Sequence, residues 1–259
     1  KPLFPYTPLF RSASDPEARL EAARAALAGE ADANLVSVEG REKRLLLADM
    51  DSTIIGVECV DELAAAVGVG PEVAAITERA MRGELDFEGA LAERVALLEG
   101  MTLAALEAVR AERVRLNPGA ATLARTMAAR GAETALVSGG FTLFTEAVAA
   151  EAGFARHFAN TLETRDGRLT GRVVPPILGR EAKAARLGAL AAEAGLTTAD
   201  AIAIGDGAND LAMARAAGLG VAYRAKPALA EAADARLDVS PLDAALHLMG
   251  VPEEAWVRA

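Results

Sequence analysis

Short runs of aliphatic residues alternate with amphipathic helical segments along most of this chain. Three of the runs are "RLLLADMD" at 44–51, "ETALVSGG" at 133–140 and "LGVAY" at 219–223. Strands that are apolar on both faces must be covered on both sides, so this alternation predicts an α/β fold with a mainly parallel sheet between two layers of helices. The segment 159–174 instead alternates around a central Asp-Gly pair, which is typical of a β-hairpin.

One block interrupts the alternation, because residues 57–116 contain no strand signal. Their apolar residues recur at helical spacing in four successive segments, which predicts an inserted helical cap. The chain would then consist of a core made of 13–56 and 117–259 and a cap made of 57–116. Within the cap, Asp86 and Thr102 are predicted to begin helices as N-caps. The glycines predicted to end helices are Gly68, Gly83 and Gly100.

The overall composition limits the classes of function open to this chain. Of its 259 residues, 52% are hydrophobic, and the formal net charge is −10. Phosphate backbones are bound by basic patches, so this acidic balance argues against a nucleic-acid partner. No apolar stretch is long enough to span a bilayer and no cleavable signal is recognisable, so we expect no membrane partner and a cytoplasmic location. The single cysteine, Cys59, excludes an intramolecular disulfide, and the oligomeric state stays open between monomer and homodimer.

Polar clusters end three of the predicted strands. Asp49 and Asp51 end the first strand, "SGG" at 138–140 ends the second, and "GDGAND" at 205–210 ends a later one. Ligands of parallel α/β sheets bind beyond the carboxyl ends of the strands. The three clusters are therefore predicted to converge at one edge of the sheet and to form one site.

The residue types in these clusters suit phosphoryl transfer through a carboxylate nucleophile. Asp49 would attack phosphorus, while Asp51 would protonate the leaving oxygen and then activate water. Two carboxylates repel each other and the substrate, so we expect Mg²⁺ as the cofactor, with Asp49, Asp206 and a main-chain carbonyl among its ligands. Asp51 and Asp210 complete the acidic set assigned to the metal site.

The transferred phosphoryl group also needs hydrogen-bond donors and a positive charge around its other oxygens. Ser138 and the exposed amides of Gly139 and Gly140 are the predicted donors, and one ammonium group would supply the charge. Asn209, in the last of the three clusters, is predicted either to contact the substrate or to cap the following helix.

The order of these motifs identifies a family resemblance. "DMDST", "VSGG", a downstream lysine at Lys183 and "GDGAND" follow one another as in the haloacid dehalogenase superfamily of phosphatases, and the resemblance spans about residues 34–250. It implies a Rossmann-like α/β core with a helical cap inserted after the first strand. It also implies that Lys183 is the ammonium group that holds the phosphate.

Two cap segments carry a finer resemblance. "VECVDEL" and "DFEGALAERVALLEG" resemble the recognition segments of members that hydrolyse O-phospho-L-serine. The resemblance implies that Glu58 binds the substrate ammonium, that Arg94 binds its carboxylate and that Phe87 lines the pocket. The expected reaction is Mg²⁺-dependent hydrolysis to L-serine and phosphate through an aspartyl-phosphate, the last step of serine biosynthesis.

Three other functions remain open on the residues alone. A phosphotransferase that passes the phosphoryl group to an alcohol such as homoserine would share every core motif, as would a phosphatase for another small phosphomonoester. A phospho-accepting receiver-like module also uses clustered aspartates, magnesium, a hydroxyl and a lysine. Receiver modules are much shorter and lack a cap, which argues against this third alternative.

The N-terminal segment requires separate treatment. Residues 3–12, "LFPYTPLFRS", differ at one position from the translation of a common sequencing adapter. We therefore predict that residues 1–12 are an artefact, and we exclude them from the fold prediction.

Overall fold

The computed structural model describes residues 15–27 and 29–258, and within these ranges seven strands form one sheet. The strands are β1 (Leu45–Ala48), β2 (Glu133–Phe141), β3 (Arg156–Arg165), β4 (Arg168–Val174), β5 (Ala201–Gly205), β6 (Leu219–Tyr223) and β7 (Ala235–Leu237). Their order across the sheet is β4-β3-β2-β1-β5-β6-β7. All neighbours are parallel except β3 and β4, which form an antiparallel hairpin.

The helices follow the same chain order. They are α1 (Pro16–Leu27), α2 (Cys59–Val67), α3 (Gly70–Met81), α4 (Phe87–Ala96), α5 (Leu103–Arg113), α6 (Ala120–Ala129), α7 (Thr142–Ala152), α8 (Arg180–Glu193), α9 (Leu211–Ala216), α10 (Pro227–Ala230) and α11 (Ala244–Leu248). None of the helices in the described ranges is long and apolar enough to cross a lipid bilayer.

The central strand β1 shows why the sheet needs helices on both faces. All four of its residues are fully buried. Leu45 and Leu47 pack with residues of α8 and α9 on one face, whereas Leu46 and Ala48 pack with residues of α6, α7 and α11 on the other. Side chains of a strand alternate between faces, so an uninterrupted aliphatic run fills two cores at once. The predicted α/β class, with a Rossmann-like parallel sheet and an inserted helical cap, is confirmed.

The inserted block contains the four helices α2–α5 between β1 and α6. Asp86 accepts a hydrogen bond from Gly89 N at 2.7 Å, and Thr102 accepts one from Ala105 N at 3.1 Å, so both act as the predicted N-caps. Two of the three predicted stop glycines lie at helix ends in the left-handed conformation, Gly68 (φ 81°) as the C-cap of α2 and Gly83 (φ 76°) just after the C-cap of α3. Gly100 (φ 82°) is also left-handed, but α4 has already ended at Ala96, so the predicted helix end at Gly100 is wrong. The boundaries of the cap at 57 and 116 stay a prediction.

Two local outcomes refine the sequence predictions. The strand predicted at 44–51 ends earlier, at Ala48, because Asp49 turns its side chain back to accept a hydrogen bond from Met50 N at 2.7 Å and the chain leaves the sheet. The predicted hairpin at 159–174 is confirmed, with Asp166 (φ 50°) and Gly167 (φ 74°) in its turn. The predicted artefact at residues 1–12 lies outside the described residues.

Candidate active site

The first cluster begins where β1 leaves the sheet. Asp49 N still donates to Ile204 O of β5 at 2.9 Å, and residues Met50–Ile54 then form one wide turn in which Ser52 has a left-handed backbone (φ 54°). This turn directs the side chain of Asp51 toward the neighbouring strand β2 and toward the first turn of α2. Its Oδ1 accepts from Cys59 N at 2.9 Å, and its Oδ2 accepts from Ser138 Oγ at 2.8 Å.

A buried lysine joins two of the predicted acidic residues. Lys183, on the first turn of α8, places Nζ 2.6 Å from Asp49 Oδ2 and 2.7 Å from Asp210 Oδ1. Lys183 is 1% exposed, Asp49 3% and Asp210 0%. Burial disfavours the ammonium, but the two carboxylates outweigh that effect and raise the pKa of Lys183 above its ordinary value. Lys183 is therefore a permanent cation at the carboxyl edge of the sheet.

The loop after β5 holds the other two aspartates at fixed positions. Asp210 Oδ2 accepts from the backbone N–H groups of Asp206 and Gly207, each at 3.2 Å. A Cβ on Gly205 would lie 2.4 Å from Asp210 Cγ, so only glycine fits there. Asn209 donates through Nδ2 to Asp49 Oδ2 at 3.1 Å, so its side chain links this loop to the first cluster and does not cap α9.

Three of these carboxylates form a group that could hold a metal ion. Asp49, Asp206 and Asp210 each offer an oxygen, and these oxygens all lie within 4.8 Å of one another. Burial raises the pKa of Asp49, and the neighbouring carboxylate of Asp210 raises it further against the opposing effect of Lys183. Burial and Asp210 likewise raise the pKa of Asp206. One buried lysine does not balance the negative charge of three carboxylates. Their oxygen atoms therefore suit a divalent cation. The side chain of Asp51 lies outside this group, and its assignment to the metal site stays a prediction.

The second cluster forms a compact loop at the end of β2. Ser138 is fully buried, and its Oγ accepts from Gly140 N at 2.8 Å while donating to Asp51. A Cβ on Gly140 would lie 2.8 Å from Asp51 Oδ2 and 3.0 Å from Ser138 Oγ. The second glycine of the motif is therefore required for the close approach of this loop to Asp51.

The clusters open into a cavity of about 440 Å³ between the sheet edge and the inserted helices. We call its sheet side the core wall, which includes Asp49, Asp51, Gly139, Gly140, Asp206 and Asn209. We call its helical side the cap wall, which includes Glu58, Asp61, Thr77, Phe87, Leu91 and Arg94. Predicted residues from all parts of the chain thus line one cavity, while Ser138, Lys183 and Asp210 lie buried beneath the core wall.

The cap wall presents opposite charges to the cavity. Glu58 Oε1 accepts from Ser52 Oγ at 2.7 Å, and partial burial together with the charge of Asp51 raises the pKa of Glu58. Arg94 donates through Nε to Ala90 O of its own helix at 3.1 Å, and burial lowers the pKa of Arg94. An anion and a cation are therefore both available to a ligand with charges of both signs.

Phe87 connects the two walls. A Cβ on Gly139 would lie 3.2 Å from Phe87 Cζ, and one on Gly179 would lie 3.4 Å from Phe87 Cδ1. The ring therefore lies close to two glycines of the core, and a side chain at Gly139 would crowd it.

The structure adds residues that the sequence did not single out. Lys226 lines the cavity, with Nζ 3.8 Å from Asp206 Oδ2, and Asp61 lines it on the cap side. Thr53 Oγ1 lies 3.5 Å from Asp206 Oδ1. Thr53 follows the "DMDS" run directly and could have been suspected from that position. Lys226 follows β6, and only the crossover from β5 to β6 brings it to the site.

The fold and this constellation together define a class of protein. The haloacid dehalogenase-like hydrolase family model matches residues 46–215. The chain belongs to this family.

Particular relatives share most of the chain. It is 48% identical over 241 residues to a phosphoserine phosphatase of Streptomyces coelicolor, covering 90% of this chain and 58% of that protein. It is 47% identical over 211 residues to a phosphoserine phosphatase of Polaromonas sp., covering 80% of this chain and 89% of that protein. The solved structure of a probable phosphoserine phosphatase from Vibrio cholerae matches with a TM-score of 0.81 at 37% identity, covering 94% of this chain and 75% of that one. The chain thus spans less than two thirds of the Streptomyces relative.

Proposed function

We propose that this chain hydrolyses O-phospho-L-serine to L-serine and phosphate, with Mg²⁺ as cofactor. The observation that carries the proposal is the pairing of two walls around one cavity: phosphoryl-transfer residues on the core wall, and Glu58 and Arg94 on the cap wall. The family and the named relatives support the same activity. The product would make this reaction the last step of serine biosynthesis.

In the first step, a carboxylate oxygen of Asp49 attacks phosphorus and the bond to the serine oxygen breaks, which leaves an aspartyl-phosphate on Asp49. Asp49 is well placed for this role because Met50 N and Asn209 Nδ2 fix its orientation. The Lys183 ammonium at 2.6 Å opposes the rise in the pKa of Asp49 that burial causes, and it would stabilise negative charge that develops on the phosphoryl oxygens.

Asp51 would serve as general acid and then as general base. It lines the cavity beside Asp49 and delivers a proton to the departing serine oxygen. The same carboxylate then takes a proton from the water that cleaves the aspartyl-phosphate. Hydrogen bonds from Cys59 N and Ser138 Oγ hold both of its oxygens in place, which favours a fixed direction of proton transfer.

The metal would be held by Asp49 and Asp206 with a main-chain carbonyl, while Asp210 and Asp51 complete the acidic set. When bound, Mg²⁺ supplies the positive charge that allows a phosphate dianion to approach two carboxylates. Asp206 suits such a cation because burial and the charge of Asp210 raise its pKa more than Lys226 and Lys183 lower it.

The remaining phosphoryl oxygens would be bound by Ser138, by the amides of Gly139 and Gly140, and by Lys183. The amide of Gly140 donates to Ser138 Oγ at 2.8 Å, so its direction is already fixed. Donors that are fixed before the reaction cost no reorganisation when charge develops, which is the main source of catalysis for this type of transition state.

Substrate selection would belong to the cap, residues 57–116. Glu58 would bind the ammonium of phosphoserine and Arg94 its carboxylate, with Phe87 against the short side chain and Asn209 on the core side. Arg94 has only its own helix carbonyl as a hydrogen-bond acceptor among the described residues, so its terminal nitrogens are available to a carboxylate.

A substrate panel tests the proposal. Purified protein with Mg²⁺ is given O-phospho-L-serine, O-phospho-L-threonine, p-nitrophenyl phosphate and small sugar phosphates, and free phosphate is measured. We expect phosphoserine to have the highest kcat/KM. A higher kcat/KM for another ester would assign this site to that phosphomonoester instead.

The same assay with homoserine present separates hydrolysis from transfer. A hydrolase releases free phosphate in proportion to the serine formed, whereas a phosphotransferase accumulates phosphohomoserine. A receiver-like module would retain phosphate on the chain without turnover, and the family assignment and the inserted helices argue against it. A small phosphomonoester as the only partner, and a cytoplasmic location, remain part of the proposal.

A further inference from the structure

The loop at 138–140, which is predicted to bind phosphate and is called the phosphate loop below, interrupts the pairing of β2 with β3. Strands β2 and β3 are paired in register at Val137 with Phe158, and the next pair is Phe141 with Asn160. Three residues of β2, 138–140, therefore lie opposite one residue of β3. Such a bulge frees backbone groups from the ladder, and the freed groups need other partners. The position of the loop is thus set by side chains and not by the sheet alone.

The side chain of Asn160 supplies these partners. Asn160 is 1% exposed, and its Nδ2 donates to Gly139 O at 2.8 Å and to Leu178 O at 3.3 Å. Its Oδ1 accepts from Leu178 N at 2.6 Å. The Leu178 N–H group requires an acceptor, which fixes the orientation of the amide and directs both N–H bonds to the two carbonyls.

One of these hydrogen bonds controls the direction of a predicted phosphate donor. The carbonyl of Gly139 and the N–H of Gly140 belong to one planar trans peptide, so they point in opposite directions. When Asn160 holds this carbonyl, the Gly140 N–H must point away from Asn160, and it meets Ser138 Oγ at 2.8 Å. Asn160 itself does not line the cavity.

The other two hydrogen bonds reach the segment that carries the buried lysine. Leu178 lies two residues before Arg180, where α8 begins, and Lys183 is in the first turn of that helix. The single side-chain amide of Asn160 therefore connects the phosphate loop to the segment just before α8, which carries Lys183. Gly139 and Gly179, one on each tied segment, are also the two glycines against which Phe87 packs.

We propose that Asn160 is a positioning residue that aims the Gly140 amide and sets its spacing from Lys183 in the phosphoryl-transfer site. The proposal rests on the proposed function in one respect, that the loop binds the phosphoryl group. Only an amide provides two donors and one acceptor in this space: aspartate lacks the donors, and serine has one donor. The alternative is a buried asparagine that stabilises the sheet and has no effect on the reaction.

Two variants and a matched control distinguish these possibilities. Asn160→Asp keeps an acceptor for Leu178 N but removes the donor to Gly139, and Asn160→Ser removes most of the link without adding charge. Thr134→Val is the control. Thr134, on β2, is buried like Asn160, and its Oγ1 accepts a hydrogen bond from Ala155 N, just before β3, at 3.0 Å, but it lies outside the site. Urea unfolding of each variant sets conditions in which the protein remains folded.

The readouts are kcat for p-nitrophenyl phosphate and the inhibition constants of orthovanadate and inorganic phosphate. Orthovanadate adopts the five-coordinate geometry of a transferring phosphoryl group, so its binding reports on the aim of the donors. Removal of one such donor costs about 10²- to 10³-fold in kcat, and a donor that is misaimed should cost about 10- to 100-fold. We expect that loss in both Asn160 variants, with orthovanadate binding weakened by a similar factor and phosphate binding weakened less.

The control defines the outcomes that would overturn the assignment. Thr134→Val should lose stability but keep its kcat and its preference for orthovanadate over phosphate. Folded Asn160 variants with unchanged kcat and orthovanadate binding would show a purely structural residue, as would equal losses in Thr134→Val. A wild-type chain that cleaves p-nitrophenyl phosphate but not phosphoserine would overturn the proposed substrate and not this assignment, whereas cleavage of neither ester would overturn both.

Discussion

The functional side chains on the two walls of the cavity are restrained to different extents by their hydrogen bonds and ion pairs. On the core side, Asp49 has Met50 N, Asn209 and Lys183 as partners, and Lys183 in turn contacts Asp210. On the cap side, the hydrogen bond of Arg94 goes to a carbonyl of its own helix. The core residues are fixed relative to the sheet, whereas the orientation of Arg94 depends on the helix that carries it.

This difference matches the two tasks of the proposed phosphatase activity. The phosphoryl group is the same in every ester, so its donors gain from rigid positions that need no reorganisation. The leaving group differs between substrates and must enter and depart, so its contacts suit a segment that can move. Variants of the core wall should therefore affect all substrates, and variants of the cap wall should affect phosphoserine selectively.

The largest loss is expected from Asp49→Asn. The amide cannot attack phosphorus, and a reaction that depends on a covalent intermediate should slow by more than about 10³-fold. The fold should persist, because removing one carboxylate also relieves repulsion within the acidic group. Phosphate release from phosphoserine and from p-nitrophenyl phosphate measures the effect, with circular dichroism as the folding control. Near-normal turnover would remove Asp49 from the nucleophile role.

Asp51→Asn should slow both esters but leave the nucleophile intact. Loss of a general acid and base commonly costs about 10²- to 10⁴-fold. An activated leaving group such as p-nitrophenolate needs no proton, so the first step should survive and the aspartyl-phosphate should accumulate. Mass spectrometry of acid-quenched protein should find phosphate on Asp49. Phosphate on no residue, together with a full loss for both esters, would argue against this division of roles.

Arg94→Ala should distinguish the role of the cap wall from that of the core wall most clearly. Arg94 is proposed to form two parallel hydrogen bonds to the substrate carboxylate. Its truncation should lower kcat/KM for phosphoserine by an amount that corresponds to roughly 2 to 5 kcal/mol. p-Nitrophenyl phosphate has no carboxylate, so its kcat/KM should change little. Arg94→Lys is the matched control and should restore only part of the loss, because an ammonium cannot form the paired contact. Equal losses on both esters would assign Arg94 a structural role.

The comparison of the walls also explains what the sequence could predict. The strands β1, β2 and β6 followed from aliphatic runs, and the cap helices from apolar spacing with Asp86 and Thr102 at their starts. These signals are local, because each depends on residues within a few positions of one another. The fold class was therefore within reach of the sequence.

Other parts of the site depend on contacts between distant segments, which local patterns do not predict. Lys183 resembles a surface lysine in its helical context, and only the motif order singled it out, although it is 1% exposed. Asn160 looks like an ordinary polar residue of a hairpin strand until the bulge at 138–140 brings Gly139 O within 2.8 Å. Lys226 reaches Asp206 through the strand crossover alone. Local patterns carry no information about such distances.

A smaller effect is expected when Mg²⁺ binds the core wall. A ligand that binds only the folded state at 100 times its Kd should raise the free energy of unfolding by about 2.7 kcal/mol. The pKa values of Asp49 and Asp206 are raised in the folded chain, so without metal the folded state keeps protons that the unfolded state releases, and stability falls as pH rises from about 4 through the raised values.

Because Mg²⁺ binds the ionised carboxylates, the stabilisation that it provides should grow with pH over that interval. Urea midpoints with and without Mg²⁺ at about pH 5 and about pH 7.5 measure this difference. Asp206→Asn should reduce the gain at the higher pH, whereas Asp86→Asn, a change in an exposed acid of the cap, should leave it unchanged. A gain in stability that does not depend on pH would argue against binding at this acidic group.

The smallest effect is expected from the N-cap residues of two cap helices, which have the same capping role but whose helices carry different residues. Asp86 caps α4, which bears Phe87 and Arg94, and Thr102 caps α5, which contributes no residue to the cavity. Asp86→Ala and Thr102→Ala should each lower the free energy of unfolding by about 1 kcal/mol, because each leaves a helix N–H without its acceptor.

Only the first of these two substitutions should also change catalysis. Loss of the Asp86 cap loosens the first turn of α4, so Phe87 is held less firmly over Gly139 and the KM for phosphoserine should rise by a factor of about 2 to 10, the range that corresponds to a loss of up to about 1.4 kcal/mol in binding. Thr102→Ala should leave KM unchanged at equal stability. If Asp86→Ala and Thr102→Ala changed KM equally, the helices of the inserted cap would respond as one rigid unit. Phe87 would then not depend on the N-cap of its own helix.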